Sequence, residues 1–557
     1  MAMAFVSKGP ASSMKRSRAS FGLRCACFLT LLSVASSVAC GSRSELFPGS
    51  LSSAQGGSGG MPNPPPVCST DFECGESDAC VQRRCVEGSC ATQTAQCDDG
   101  DVCTDNACDP QLGCVFPELT FDSDGDGFKG PRPGFAPGAP DSCGTDCDDR
   151  SAAAFPGGKE LCDGVDNDCN GIVDDNTTYV ASKLSPLRIS TAEGTRGQRG
   201  SMVGTPDGFV LTYSMTALNS QGGEQSRGLI KGLSRDRTTR FEHLVSDVNA
   251  ETYSGSLAWS GQLLASASSD ARQERNYEIY LNRFSAAGDK LSADQRVTNA
   301  PGFSKRASLL WNRSEFVLAW DDRRSEGQVA GDRVGIFGQR VAPDGTLLGE
   351  NLPLVDDGLV NESAELALSP QRIGMVYTVS PPSGASGASL GFRVFDANLA
   401  EVGANPGTIG VDVQSPLVQF VGDRFIALWY VYPNNGSPGD AIWAAAFDVN
   451  GKLLLAPQPV TSGAKFARFP DALSLGDRLL LVWSDDHDGN FEVYWEVLGP
   501  DLSVRESRQR LTFTPTDSQY PTLAAGPDGT IGVMFEDFPE GSRQVYLTSL
   551  ECGAPMP

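Results

Sequence analysis

Between residues 121 and 176 the chain places carboxylates at alternating positions, a spacing that turns oxygen atoms toward one point. In "FDSDGDGFKG" Asp122, Asp124 and Asp126 alternate, Gly127 follows, and the carbonyl of Phe128 offers a further oxygen. The same order returns in "VDNDCNGIVDD" as Asp166, Asp168 and Asn170 with Gly171, then the Ile172 carbonyl, Asp174 and Asp175. Between the two lies "DCDD", with Asp146, Asp148 and Asp149. Carboxylates this dense repel one another unless a cation sits among them. An all-oxygen donor set with glycine at the sharp turn suits Ca2+. The bidentate glutamate of a full EF-hand is missing, Pro133 standing in its place. The loops are therefore expected to bind Ca2+ without being EF-hands, and the ion is expected to fold them and not to act as a signal.

Such loops contain little that could build a core, and cysteines take over that task. Cys68, Cys74, Cys80, Cys85, Cys90, Cys97, Cys103, Cys108 and Cys114 come in quick succession, followed by Cys143, Cys147, Cys162 and Cys169. No C-x-x-C pair and no histidine occur among the first nine, so a zinc ribbon does not fit. A disulfide framework does, each bridge restricting the unfolded chain by about 2–4 kcal/mol. Thirteen thiols cannot all pair among themselves. Cys552, far down the chain, is expected to take the one left over.

The ordered elements "DSDGDGF", "DCDD", "PGG", "ELCDGVDNDC" and "VDD" resemble the MopE-type metal-binding repeat of bacterial surface proteins across about residues 121 to 176. "CDDGDVCTDNACDPQLGC" is similar to short cysteine-rich repeats of myxobacterial and other bacterial surface proteins. The resemblance implies a metal-binding surface module. That family's name is tied to copper, which would call on histidine or modified tryptophan. This segment has neither, and its oxygen donors favour Ca2+.

The acidity is local. Of a formal net charge of −25, residues 68 to 176 carry most, with 24 Asp and Glu against 6 Lys and Arg. No basic stripe accompanies this field, which excludes nucleic acid as a natural partner. Only His243 and His487 occur in 557 residues, leaving little material for imidazole catalysis or zinc sites.

Compartment is read from the N-terminus. Lys8, Lys15, Arg16, Arg18 and Arg24 precede the apolar run "CFLTLLSVASSVA", which is too short to cross a bilayer comfortably and reads as a signal peptide over 1–39. "SVAC" resembles a bacterial lipobox, although Ser37 stands where that family has leucine. The resemblance implies a diacylated Cys40, a membrane held through that lipid, and, with Gly41 and Ser42 next, the outer membrane or cell surface. Parity agrees: without Cys25, Cys27 and Cys40 the 17 cysteines leave an even 14. Residues 40–66, rich in Gly, Ser and Pro, read as a tether, followed by a cysteine-rich module over 67–117 and the acidic repeat over 118–176.

From residue 177 a repeat sets in. Apolar strands reach their anchors at Tyr213, Ala267, Trp320, Tyr377, Trp429, Trp483 and Phe535, spaced 52 to 57 residues apart. A period near fifty with several short strands and turns such as "PDG" and "DVNG" predicts one four-stranded blade per repeat, hence an all-β fold with a seven-bladed β-propeller over 177–557. Two β-sandwiches would not produce so steady a period. The last repeat ends at "QVYLTSL" without an outer strand, and "LRIST" at 187 to 191 matches the "RVT" and "RLT" strands, so it is expected to close the ring. That places the chain's end beside the stalk and predicts the partner of Cys552 among residues 68 to 169.

No nucleophile, base and orienting group assemble in the sequence. The pairs Asp321-Asp322 and Asp485-Asp486 read as turn residues after Trp320 and Trp483-Ser484, and His487 as a loop-tip residue. The expectation is a non-enzymatic surface lipoprotein whose propeller binds a protein or glycan. The alternative is a secreted propeller hydrolase or lyase acting on glycans.

Overall fold

The computed structural model describes residues 67–553 apart from breaks at 163–164, 172–173, 175–176, 191–195, 219–223, 249–251, 254, 274–275, 325–332, 381–386, 432–440 and 462. Cys40 with its signal and tether, and the predicted ligands Ile172 and Asp175, lie outside the described residues. The chain divides into two compact units. One comprises residues 67–75 and 83–91, the other 76–82 and 92–553.

The smaller unit is stapled by Cys68–Cys85 and Cys74–Cys90 around a single 3-10 turn, Asp71–Cys74. Its Phe72 is 89 % exposed, so cross-links and not apolar burial hold it together.

In the larger unit Cys80–Cys108, Cys97–Cys114, Cys103–Cys143 and Cys147–Cys169 clamp the loops that precede the propeller. All fourteen cysteines expected to pair do so, and Cys552 is bonded to Cys162, 390 residues away.

Seven antiparallel sheets follow. The blades begin with Arg196–Thr205, Leu257–Trp259, Ser304–Trp311, Val360–Leu368, Val413–Val421, Arg468–Leu475 and Gln519–Ala525 as innermost strands. Each second strand carries a buried apolar run, and the seven anchors from Tyr213 to Phe535 are buried within them. Such strands are covered on both faces, because each sheet packs between two others. The core is accordingly seven hydrophobic clusters, one in each seam between neighbouring blades.

The recurring "RVT" and "RLT" have a physical basis. Thr298 Oγ1 accepts from Ile279 N at 2.9 Å and donates to Glu278, whose Oε1 takes Arg296 at 2.8 Å. Thr512, Glu492 and Arg510 repeat this clamp, with Val493 N to Thr512 Oγ1 at 2.8 Å. Ser190 of "LRIST" plays the same part at the ring's junction: it accepts from Val545 N at 3.0 Å and donates to Gln544 at 2.5 Å.

Closure is wider than "LRIST" alone. The last blade's third strand, Gln544–Gly553, pairs with Leu187–Arg188 and also with Thr178–Ala181, in register Leu547 to Leu187 and Cys552 to Tyr179. Residue Thr191 lies outside the described residues. The sheet thus takes the segment directly after the acidic repeat, which short polar residues had concealed.

One expectation is corrected. Asp321, Asp322 and Asp485 are not turn residues but buried ends of second strands. Asp322 accepts from Trp320 Nε1 at 2.8 Å and Ser304 Oγ at 3.1 Å, and Asp485 from the backbone of Lys465 and Phe466 at 3.1 Å. Each satisfies donors that strand ends would otherwise leave buried and unpaired.

Candidate metal centre

The first acidic loop is shaped by its own carboxylates. Asp122 Oδ1 accepts from Gly125 N at 2.7 Å and its Oδ2 from Gly127 N at 3.0 Å; Asp126 Oδ1 accepts from Phe128 N at 2.8 Å. Gly125 and Gly127 adopt φ of 87° and 99°, which only glycine takes without strain. Oxygens of Asp122, Asp124 and Asp126 gather within 4.8 Å of one another.

Asp146, twenty residues downstream, lies close enough to feel their charges. Its side chain is fully buried, and burial together with the charges of Asp126, Asp124 and Asp149 raises its pKa. Asp124 Oδ2, Asp126 Oδ2 and Asp146 Oδ2 are buried without a hydrogen-bond donor. Buried anionic oxygens left without donors are costly unless a cation takes them.

The second loop gathers Asp166, Asp168 and Glu160 within the same 4.8 Å. Asp166 accepts from Asn170 N at 3.1 Å and Gly171 N at 2.7 Å, and Glu160 Oε1 from Asp168 N at 2.8 Å. Glu160 Oε2 is buried and orphaned, and burial raises the pKa of this carboxyl, with Asp168 and Asp166 adding to the shift. Glu160 was not among the residues expected from sequence. The "E" of "ELCDGVDNDC" was its signal, six residues upstream of Asp166.

Not every expected ligand points inward. Asp149 accepts from Ser123 N at 2.9 Å and Ser123 Oγ at 2.5 Å, so both its oxygens staple the first loop. Asp148 is exposed, its amide donating to Asp146 Oδ1 at 2.9 Å. Asn170 turns its amide nitrogen to Asp168 Oδ2 at 3.0 Å. Phe128, expected to act through its carbonyl, stacks its ring on Phe155 at 5.4 Å, a contact that leaves that oxygen out. Asp174, fully buried in side chain, pairs with Arg478 of the propeller.

Along the propeller axis runs a channel of about 660 Å³ lined by the seven innermost strands. Five of these carry a bulge at which a non-glycine residue takes positive φ: Arg306, Ser363, Ser415, Phe469 and Tyr520. Arg306 pairs with Asp321 and with Glu362 at 2.8 Å at one mouth, and burial pushes Asp321 up to about 7 against the pull of Arg306. Asp471 in the channel accepts from Thr522 Oγ1 at 2.6 Å and Leu523 N at 2.9 Å. These carboxylates tie neighbouring blades together. His487 is exposed at its loop tip.

Residues 146–175 match a family model described as "Putative metal-binding motif", of the MopE type. No curated protein matches the chain. Among solved structures, a protein of unknown function from Dyadobacter fermentans is similar at 15 % identity and a TM-score of 0.40, covering 68 % of this chain and 99 % of that one. Trypanosoma rangeli sialidase is similar at 10 % identity and a TM-score of 0.37, covering 67 % of this chain and 59 % of its own. Likeness at these scores carries nothing about activity.

Proposed function

We propose that this chain is a surface lipoprotein, anchored through Cys40, whose acidic disulfide-stapled module binds Ca2+ and whose propeller presents a face to a protein or glycan. The observation that supports the cation is the set of buried carboxylate oxygens without donors: those of Asp124 and Asp126, gathered with Asp122, that of Asp146, which feels their charge, and that of Glu160 beside Asp166 and Asp168. Hard oxygen donors in irregular loops suit Ca2+ over Mg2+, which demands a near-octahedral shell, and over copper, which prefers imidazole or thiolate. With every described cysteine in a disulfide, no thiolate is left to compete.

Calorimetry on the exported protein with disulfides intact tests this. Calcium uptake is expected, reduced by Asp124→Ala and by Asp168→Ala. No uptake at millimolar calcium overturns it. Mass spectrometry of the mature N-terminus tests the anchor: a Cys40 without acyl mass removes it.

A second reading, a glycan hydrolase, draws on Arg306 with Asp321 and Glu362 at the channel mouth. Release of reducing sugar from cell-surface glycans, lost on Glu362→Gln, would support it over the binding role.

A further inference from the structure

We infer that occupancy of the Glu160–Asp166–Asp168 site locks the propeller ring shut, by holding in place the loop that carries Cys162. This rests on the reading of that site as a Ca2+ site and adds a consequence for the fold.

The cation loop and the ring junction are one piece of structure. Phe155 N donates to Asn167 O at 2.9 Å, Gly157 N to Asp168 O at 3.0 Å and Leu161 N to Asn167 Oδ1 at 2.8 Å. Gly158 lies so close to this backbone that an added Cβ would stand 2.3 Å from Asn167 O. Residues 155–162 and 165–170 are thereby tied together around Glu160, Asp166 and Asp168.

Cys162 stands two residues after Glu160, yet its side chain is fully buried inside the propeller. There it belongs to the seam between the last two blades, with Tyr179, Trp495, Ile531 and Leu550. Its carbonyl accepts from Tyr179 Oη at 2.6 Å, and its sulfur is bonded to Cys552 at the end of the chain's last strand. The ring's first and last strands therefore meet on a residue whose neighbour is a cation ligand.

Without a cation three carboxylates within 4.8 Å repel, and opening the loop relieves that repulsion. Opening draws Cys162 from the seam and exposes the disulfide. A ligand that binds only the closed form shifts this equilibrium in proportion to the logarithm of its concentration. Local opening of this kind is what lets a reductant reach a buried bond.

The experiment uses the full exported chain with calcium or EGTA. Three quantities are read: calcium uptake by calorimetry, the thermal midpoint by near-ultraviolet tryptophan signal, and the rate at which dithiothreitol reduces Cys162–Cys552, followed by differential alkylation and peptide mapping. Calcium is expected to raise the midpoint progressively and to slow reduction of Cys162–Cys552 by about tenfold or more, while Cys68–Cys85 reduces at one rate in both conditions. Glu160→Gln should abolish the protection of Cys162–Cys552 and leave only the part of the midpoint rise that the Asp122–Asp124–Asp126 loop supplies. If that variant does not fold, the calcium titration of the unaltered chain decides alone. Uptake of calcium with an unchanged midpoint and reduction rate overturns the lock while leaving the Ca2+ site standing. Absence of uptake overturns both.

Discussion

Asp174 and Arg478 form an ion pair across 304 residues of sequence, the carboxylate fully buried and the guanidinium nearly so. Arg478 also faces Glu506 at 3.9 Å, and Glu506 Oε2 accepts from Thr178 Oγ1 at 2.7 Å. The pair fastens the end of the acidic repeat to the sixth blade. Asp174→Ala leaves the guanidinium with only the more distant Glu506 as counter-ion and is expected to cost up to about 3–5 kcal/mol. Chemical denaturation of Asp174→Ala and of Asp174→Leu with Arg478→Met measures it. The double variant is expected to recover most of the loss, and an equal loss in both would refute a charge-driven role.

Asp146 is expected to be a ligand of the first loop and not of the second. Asp146→Asn keeps the side chain's shape and its bond to Asp148 N but removes one anionic oxygen from the group with Asp124 and Asp126. Calorimetry should show one calcium fewer per chain. Unchanged stoichiometry and affinity would exclude Asp146 from coordination.

Glu496 gives the propeller a pH dependence. It is 1 % exposed with Oε1 unpartnered, and burial pushes it up to about 7 against the pull of Arg508. In the unfolded chain it titrates near 4.5. Between these values the folded state holds the extra proton, so this residue's contribution is full below about pH 4.5 and is lost as pH rises through about 7. The loss is at most about 3 kcal/mol. Glu496→Gln should flatten the fall in stability between pH 5 and 8 measured by urea denaturation. An unchanged slope would place the titration elsewhere.

The threonine clamp predicts a repeat-wide stability term. Thr512 Oγ1 serves Val493 N and the fully buried Glu492 at once, so Thr512→Val leaves both short of a partner. A loss of about 1–3 kcal/mol is expected in denaturant titrations. Thr298→Val should do the same in the second blade, whereas Thr346→Val, on an exposed turn, should change little.

By itself the sequence determined what depends on neighbours in the chain. Anchors spaced 52 to 57 residues apart implied seven blades, because each anchor strand's burial is written in its own apolar run and the turn residues mark its ends. Alternating Asp122, Asp124 and Asp126 marked an acidic loop for the same reason. Parity of cysteines, a count over the whole chain, required a partner for Cys552 but could not choose among thirteen thiols. Tertiary structure made that choice in favour of Cys162, and brought Asp146 to Asp124, Asp174 to Arg478 and Thr178–Ala181 to the last blade. Those pairings were hidden because a carboxylate's role is set by which charge folding brings within a few ångströms of it. An aspartate beside an arginine and an aspartate beside another aspartate are the same letter until the chain has folded.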